Sequence, residues 1–357
     1  MLAGIDTVDV GLSLLKIAVV LGMMLNVTPI MVWVERRGSA LIQDRPGPNR
    51  VGPLGLFQSF ADALKFLMKE DVVPAQAHKW LYTLAPAFGL IPAMTTIAVV
   101  PWGRSFVLPG GRIFEPIIAD LGIGLLLVFA LASLSVYGIT MAGWASSNKY
   151  SLFGGIRASA QMISYELSLT LAAVSVLLAT GSLRLTDVVW HQTGSFVLFN
   201  TLRIPAWNIC SPAMWLAFIV FTVSAFAETN RLPFDFAEAD SELVAGYHTE
   251  YSSRKFALFF MAEYMSMATM SALIVTLFFG GWDIPWYHEP ATVLGFALSV
   301  LFFLGKVSFM LFVFVWVRWT IPRLKYDLLM KLGWKVFLPM AVINIIIVAL
   351  FIARGWL

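Results

Sequence analysis

Residues 336–353 read Val-Phe-Leu-Pro-Met-Ala-Val-Ile-Asn-Ile-Ile-Ile-Val-Ala-Leu-Phe-Ile-Ala, eighteen positions without a charge and with a single side-chain amide, Asn344. An apolar run of roughly 18 or more residues spans the hydrocarbon layer as a helix, because only a helix or a closed barrel satisfies its own backbone there. Working back along the chain, apolar runs recur at about 291–315, 257–280, 213–228, 157–180, 118–143, 81–100 and 11–34, with 213–228 the shortest. The expected fold class is all-α: a polytopic membrane protein of eight transmembrane helices, forming one integral membrane domain over 1–357. Its inner loops are expected at about 35–80, 144–156, 229–256 and 316–335.

Composition leads to the same class. The 357 residues are 59% hydrophobic and 13% charged, with a mean hydropathy of +0.81. Soluble domains carry about 25% charged residues. With 24 Lys and Arg against 21 Asp and Glu, the near-neutral balance gives no reason to expect a nucleic-acid partner. The cations nevertheless cluster in alternate loops. Arg36, Arg37, Arg45, Arg50, Lys65, Lys69 and Lys79 follow the first run, Lys149 and Arg157 the third, Arg231, Arg254 and Lys255 the fifth, and Arg318, Arg323, Lys325, Lys331 and Lys335 the seventh. The intervening loops hold only Arg104, Arg112, Arg184 and Arg203, with Arg354 in the C-terminal tail. The positive-inside rule then places both termini on the outer side.

Cys210 is the single cysteine, and the four histidines lie far apart. No thiolate-held cluster and no metal site is expected. The N-terminus has acids at Asp6 and Asp9 and no basic segment, so the first run reads as a retained span and not as a cleaved signal. No phosphate-binding loop, nucleophile elbow or dinucleotide fingerprint occurs, and no internal repeat of the transporter type.

Two inner loops carry unusual patterns. In 54–70, Leu56, Phe57, Phe60, Leu64, Phe66, Leu67 and Met68 fall mostly on one side of a helix, with Asp62, Lys65, Lys69 and Glu70 opposite. That is the pattern of an amphipathic helix lying in the membrane interface; a loop helix packed on protein is the alternative. Over 226–250, six of the 21 acids (Glu228, Asp235, Glu238, Asp240, Glu242 and Glu250) accompany one base, Arg231. If 235–243 coils, Asp235, Glu238 and Glu242 share a face and repel one another. A solvated acidic loop is the plain alternative, but Phe234, Phe236, Leu243, Val244 and Tyr247 interleave with the acids. Within the spans, Glu166 is the strongest anomaly, with Glu263 and Glu35 nearer the ends and Lys16 and Lys306 near mid-span. Glu166 should face protein or water and is a candidate functional site; for Glu35 and Glu263 a structural ion pair with a loop Lys or Arg is an equal alternative to a role in transport, and Lys16 and Lys306 are expected to snorkel or to pair with a buried acid.

These residues resemble a known family. Glu35-Arg36-Arg37, Gln43-Asp44-Arg45-Pro46-Gly47-Pro48-Asn49-Arg50-Val51-Gly52, Gln58, Asp62 and Lys65 look like the first-loop signature of membrane subunit 1, the H-type subunit, of respiratory complex I. Gly143-Trp144-Ala145-Ser146, Lys149-Tyr150, the run from Arg157 to Glu166, Glu228-Thr229-Asn230-Arg231-Leu232-Pro233-Phe234-Asp235, Ser241-Glu242-Leu243, Pro322-Arg323-Leu324-Lys325-Tyr326-Asp327, Trp334-Lys335 and Leu338-Pro339 continue the match. The likeness covers about 30–340 and falls in all four inner loops. Ala239-Asp240, Lys325 and Leu328 depart from the usual pattern.

The resemblance implies a membrane subunit of proton-pumping NADH:quinone oxidoreductase, with no complete active site in this chain alone; the chain length and the long outer segment at about 181–212 favour a bacterial inner (plasma) membrane over an organelle. Quinone would be the substrate, while flavin and iron–sulfur clusters would reside in partner subunits of the peripheral arm; other membrane-arm subunits and the lipid bilayer complete the partners. Carried over by matching positions, Arg36, Phe57, Asp62, Lys65, Arg231 and Phe234 would line or brace a quinone cavity. Glu35, Glu228, Asp235, Glu238, Asp240, Glu242 and Glu250 would form an acidic path, and Glu166 would pass the change into the membrane arm. Arg45, Arg323 and Lys325 would hold loops or contact partners. Two other readings remain at this level: a membrane anchor of a related hydrogenase or ferredoxin-linked complex, and an ion-coupled secondary transporter.

Overall fold

The computed structural model describes residues 7–108, 111–198, 202–237, 243–287 and 291–355. Among these the helices are α1 (Thr7–Ile42), α2 (Gln58–Met68), α3 (Lys79–Thr96), α4 (Gly124–Ala145), α5 (Lys149–Thr180), α6 (Leu185–His191), α7 (Trp215–Glu228), α8 (Ser253–Phe278), α9 (Val293–Thr320), α10 (Tyr326–Leu332) and α11 (Leu338–Ala353). A π-helical turn, Gly333–Phe337, joins α10 to α11. The chain is an all-α polytopic membrane protein.

Seven helical stretches among the described residues are long and apolar enough to cross a membrane, against eight expected spans. The remaining expected span is the apolar helix Pro212–Glu228, which at ~1.5 Å per residue reaches only about 25 Å. It starts as a 3-10 turn at Pro212–Met214, where the proline suits a helix beginning.

Several boundaries also shift, mostly because helices run out of the apolar layer into the loops. α1 continues to Ile42 and so carries Glu35, Arg36 and Arg37, which the sequence reading put at the start of a loop. α5 starts at Lys149, where the Asn148 side chain accepts from the Tyr150 amide at 2.9 Å; most of the expected loop 144–156 is therefore helix. Two short antiparallel hairpins, Phe106–Val107 with Ile113–Phe114 and Ser195–Leu198 with Leu202–Pro205, lie in segments where no strand was expected.

The core forms where α4, α5, α7, α8 and α11 meet. Between membrane helices the gain comes from close packing, so small residues mark the tightest crossings. At Gly138 of α4 a Cβ would lie 2.8 Å from the Gly89 amide of α3, and at Gly154 of α5 one would lie 2.7 Å from the backbone of Gly246 and Tyr247. The second contact seats the loop after α7 directly on α5. The two mid-span lysines satisfy their ammonium groups on backbone carbonyls. Lys16 donates to Ile117 at 3.2 Å, and Lys306 to Phe279, Gly281 and Asp283 at 2.8, 3.0 and 2.6 Å.

Candidate functional site

The C-terminal parts of α1 and α9, the first half of α8 and the loop after α7 converge on a buried charge cluster. Arg231 is 4% exposed and Glu35 is 6% exposed, so neither charge is stable there without a partner. The guanidinium of Arg231 lies 3.4 Å from Glu35 Oε2 and 2.6 Å from Glu263 Oε1, and stacks over the Tyr264 ring at 4.1 Å. Glu35 also pairs with Arg318 and accepts from the Tyr264 hydroxyl. Two acids thus meet two arginines. Burial works against the Arg231 charge, but Glu263, Tyr264 and Glu35 outweigh it and push its pKa above the ordinary arginine value.

Next to this cluster lies Glu228, the last residue of α7, 5% exposed, with neither carboxylate oxygen hydrogen-bonded among the described residues. It lines two small cavities of about 50 and 30 Å³ that also share Ser135 and Ser266. The larger reaches Glu263 and Asn230, and the smaller reaches Thr96 and Thr269. A water needs roughly 10–15 Å³ and two or more polar neighbours, so each cavity has room for hydration of this carboxylate. Glu166 is close enough for its charge to act on Glu228 and accepts a hydrogen bond from Ser133 of α4.

The loop between these groups is clasped from several sides. Gln161 Nε2 donates to the Ala227 carbonyl at 2.8 Å and to the Phe234 carbonyl at 2.7 Å, before and after the turn. Arg323 binds Asp235 through its backbone oxygen at 2.7 Å and its carboxylate at 3.0 Å. Asp235 itself lies in irregular backbone and not on a helix, because the segment leaves α7 at Thr229 and passes through Pro233. Glu250 accepts from Asn148 Nδ2 at 2.6 Å in an open groove of about 600 Å³ lined by Gln76, Ser147 and Lys149. Tyr251 beside it stacks on Tyr82 at 4.1 Å, and burial first, then Tyr82, raises its hydroxyl pKa above the usual tyrosine range.

A separate cavity of about 250 Å³ sits between α1, α2 and α8. Leu25, Val32, Phe60, Phe66, Phe260 and Met261 make most of it apolar, while Arg36 and Asp62, paired at 2.5 Å, supply its charged edge. Pro29 also lines it; having no N–H, this proline leaves the Leu25 carbonyl without its usual helical donor. α2 turns Ser59, Asp62 and Phe66 toward the protein and leaves Phe57, Phe60, Leu64, Leu67 and Met68 exposed, the last at 86%. An apolar face left uncovered beside membrane-spanning helices is suited to lipid contact.

Of the residues expected around a quinone cavity, Arg36 and Asp62 line this space. Phe57 and Lys65 are exposed on and beside α2, and Arg231 and Phe234 lie elsewhere, in the charge cluster and against the Tyr165 ring at 5.5 Å. Of the expected acidic path, Glu228 shares a cavity with Glu263, Glu35 is held by two arginines, Asp235 by Arg323 and Glu250 by Asn148. Glu238, Asp240 and Glu242 lie outside the described residues. Arg45 folds back onto Gln43 at 2.7 Å, and Lys325 is exposed at the start of α10. Tyr264 and Arg318 were not singled out as site residues from sequence. An aromatic beside an intramembrane acid and an arginine closing an apolar run were the available signals.

A family model described as NADH dehydrogenase matches residues 15–349. The H-type subunit of the NADH-quinone oxidoreductase of Salinibacter ruber is 49% identical over 341 residues, 93% of each chain. NADH-quinone oxidoreductase subunit 8 of Rhodothermus marinus is 46% identical, with 94% of this chain and 95% of the relative aligned. The H-type subunit of Leptospira biflexa is 46% identical over 333 residues, 90% of each chain. With seven helices among the described residues long and apolar enough to cross a membrane and a family match over residues 15–349, the chain belongs to the NADH dehydrogenase family, the H-type membrane subunits (subunit 1) of complex I.

Proposed function

We propose that this membrane subunit of an NADH:quinone oxidoreductase admits quinone to its reduction site through the cavity between α1, α2 and α8. The single observation that carries the reading is the composition of that cavity: an apolar wall opening beside the lipid-facing side of α2, with the Arg36–Asp62 pair at its edge. A quinone needs an apolar channel for its tail and a few polar groups for its head. With one cysteine the chain lacks the thiolates of an iron–sulfur cluster, and the clusters, with the flavin, are placed in partner subunits of the peripheral arm, which dock on the inner loops around Arg45, Arg323 and Lys325.

Two-electron reduction of quinone takes up two protons and yields a neutral quinol, so drawing those protons from groups near the loop after α7 changes the charge there. Glu228, with its hydratable cavities, and Glu166 beyond it are placed to respond, and the Glu35, Arg231, Glu263 and Arg318 cluster lies between them and the quinone. Asp235 and Glu250 continue this path toward the inner face. The whole chain acts as one integral membrane domain with both termini outside.

Photoaffinity labelling of the assembled complex tests the reading. A quinone with a photoreactive group on its tail is expected to label peptides from α1, α2 and α8, in competition with ordinary quinone. Labelling confined to other helices would exclude this passage.

A further inference from the structure

Ser253, the first residue of α8, is 1% exposed and has φ +55°, a backbone conformation uncommon outside glycine. A serine at a helix start ordinarily caps its own helix. Neither Ser253 nor the preceding Ser252 does so here: the Ser252 position makes no side-chain cap. The Ser253 hydroxyl instead points at the end of α2, within 2.9 Å of the Phe66 carbonyl and 2.7 Å of the Lys69 carbonyl. The last carbonyls of a helix have no partner of their own, so a hydroxyl shared between two of them closes α2 from a different helix.

The opposite side of α2 is fixed to α1. Ser59 donates to the Pro29 carbonyl at 2.8 Å, Arg36 pairs with Asp62, and Trp33 donates to the Leu54 carbonyl at 3.1 Å just before the helix. The cavity of about 250 Å³ lies inside the triangle these contacts define, lined by Ser59, Phe66 and Ala257 among others. Its width is therefore set by how far α2 stands from α8, and Ser253 is the hydrogen-bonded tie on that side. Lys255–Asp71 at 3.2 Å and the Phe66–Phe256 ring contact at 5.8 Å support it from the flank.

We propose that Ser253 is a positioning residue that latches the α2 end to α8 and so holds the passage at the width of an apolar quinone tail. The inference rests on the reading of this cavity as the quinone passage. The Ser253 hydroxyl bonds to backbone carbonyls at the end of α2 and not to an acid, and Ser253 is not part of the cavity wall, so its loss acts on binding of the tail and not on the reduction step. Its strained backbone is the local cost of aiming a short hydroxyl at both carbonyls.

The test uses the assembled complex in membranes, with its amount normalised by native electrophoresis. In Ser253→Ala and Ser253→Gly the KM for a long-tailed quinone is expected to rise about fivefold, the order of one neutral hydrogen bond. The KM for a tail-less quinone and the kcat for both are expected to stay near wild type. Ser253→Cys, which keeps the volume and a weak donor, should fall between and covers the case in which the smaller variants assemble poorly. Equal KM increases for tailed and tail-less quinones would overturn the latch. So would a wild-type-like Ser253→Gly beside an impaired Ser253→Ala, since that pattern reports backbone strain and not the hydroxyl. Photolabelling of the wild type separates the two layers: label absent from α1, α2 and α8 removes the passage itself, whereas label present with unchanged KM in the variants removes only the latch.

Discussion

Glu35 of α1 and Arg231 of the loop after α7 stand 3.4 Å apart although they are 196 positions apart in the chain. Their contact ties the first span to the loop on which the acids are concentrated, and both side chains are almost fully buried. Removing one partner from such a pair leaves an uncompensated charge. Arg231→Leu is expected to destabilise the subunit by about 3–5 kcal/mol, read as lost assembly or a lower thermal transition of the complex. Arg231→Leu combined with Glu263→Gln should recover part of that loss, because Glu35 keeps Arg318 whereas Glu263 loses the guanidinium 2.6 Å away; a double variant no better than the single would refute that pairing as the source.

Gln161 donates to carbonyls on both sides of the turn, a geometry that its amide nitrogen alone can satisfy. Gln161→Leu leaves two buried carbonyls without this donor, at about 1–3 kcal/mol each. Faster proteolysis and faster amide exchange across 227–237 are expected, with α5 itself unaffected. Unchanged exchange in that loop would show that the clasp does not hold it.

Glu228 has no hydrogen-bond donor among the described residues at either oxygen. Replacing a poorly compensated buried carboxylate with a neutral isostere removes a desolvation cost. Glu228→Gln should therefore assemble normally and melt no lower than wild type, while fewer protons are translocated per quinone reduced. Full pumping in reconstituted vesicles would remove Glu228 from the coupling route.

The Arg36–Asp62 pair is partly solvent-exposed, at 48% and 27% of its side chains. Exposed pairs contribute roughly 0–1 kcal/mol, so Asp62→Asn is expected to leave the thermal transition nearly unchanged. Its effect should appear instead as a raised quinone KM, because the pair borders the cavity. A large stability loss with an unaltered KM would make the pair structural.

Burial raises the Cys210 thiol pKa above its ordinary value. The reactive thiolate is therefore scarce at neutral pH, and the sign is toward slower alkylation. Labelling by a membrane-impermeant maleimide should be slow at neutral pH and still accelerating at a pH where an exposed cysteine has levelled off. Labelling in right-side-out vesicles, and not in inverted ones, is expected if 181–212 faces outward.

The membrane class and most spans were legible in the sequence because hydrophobic length alone decides whether a helix can cross. The crowding of acids after α7 was equally visible. Helix ends were less so: α1, α5 and α10 begin or continue in charged loops, where packing and not hydropathy sets the boundary. Pro212–Glu228 is a related case, apolar enough for a span yet short.

Pairing of the charges was beyond what the sequence carries. By itself the sequence determined that few charges would be retained and on which loops they would lie, because each charge in lipid is costly wherever it occurs along the chain. Only the tertiary structure decided that Glu35 is neutralised by Arg231 and Arg318, that Glu228 has no such partner among the described residues, and that Ser253 closes a helix other than its own. These relations depend on distances of a few ångströms between segments far apart in the chain, set by how helices cross and not by the residues beside them.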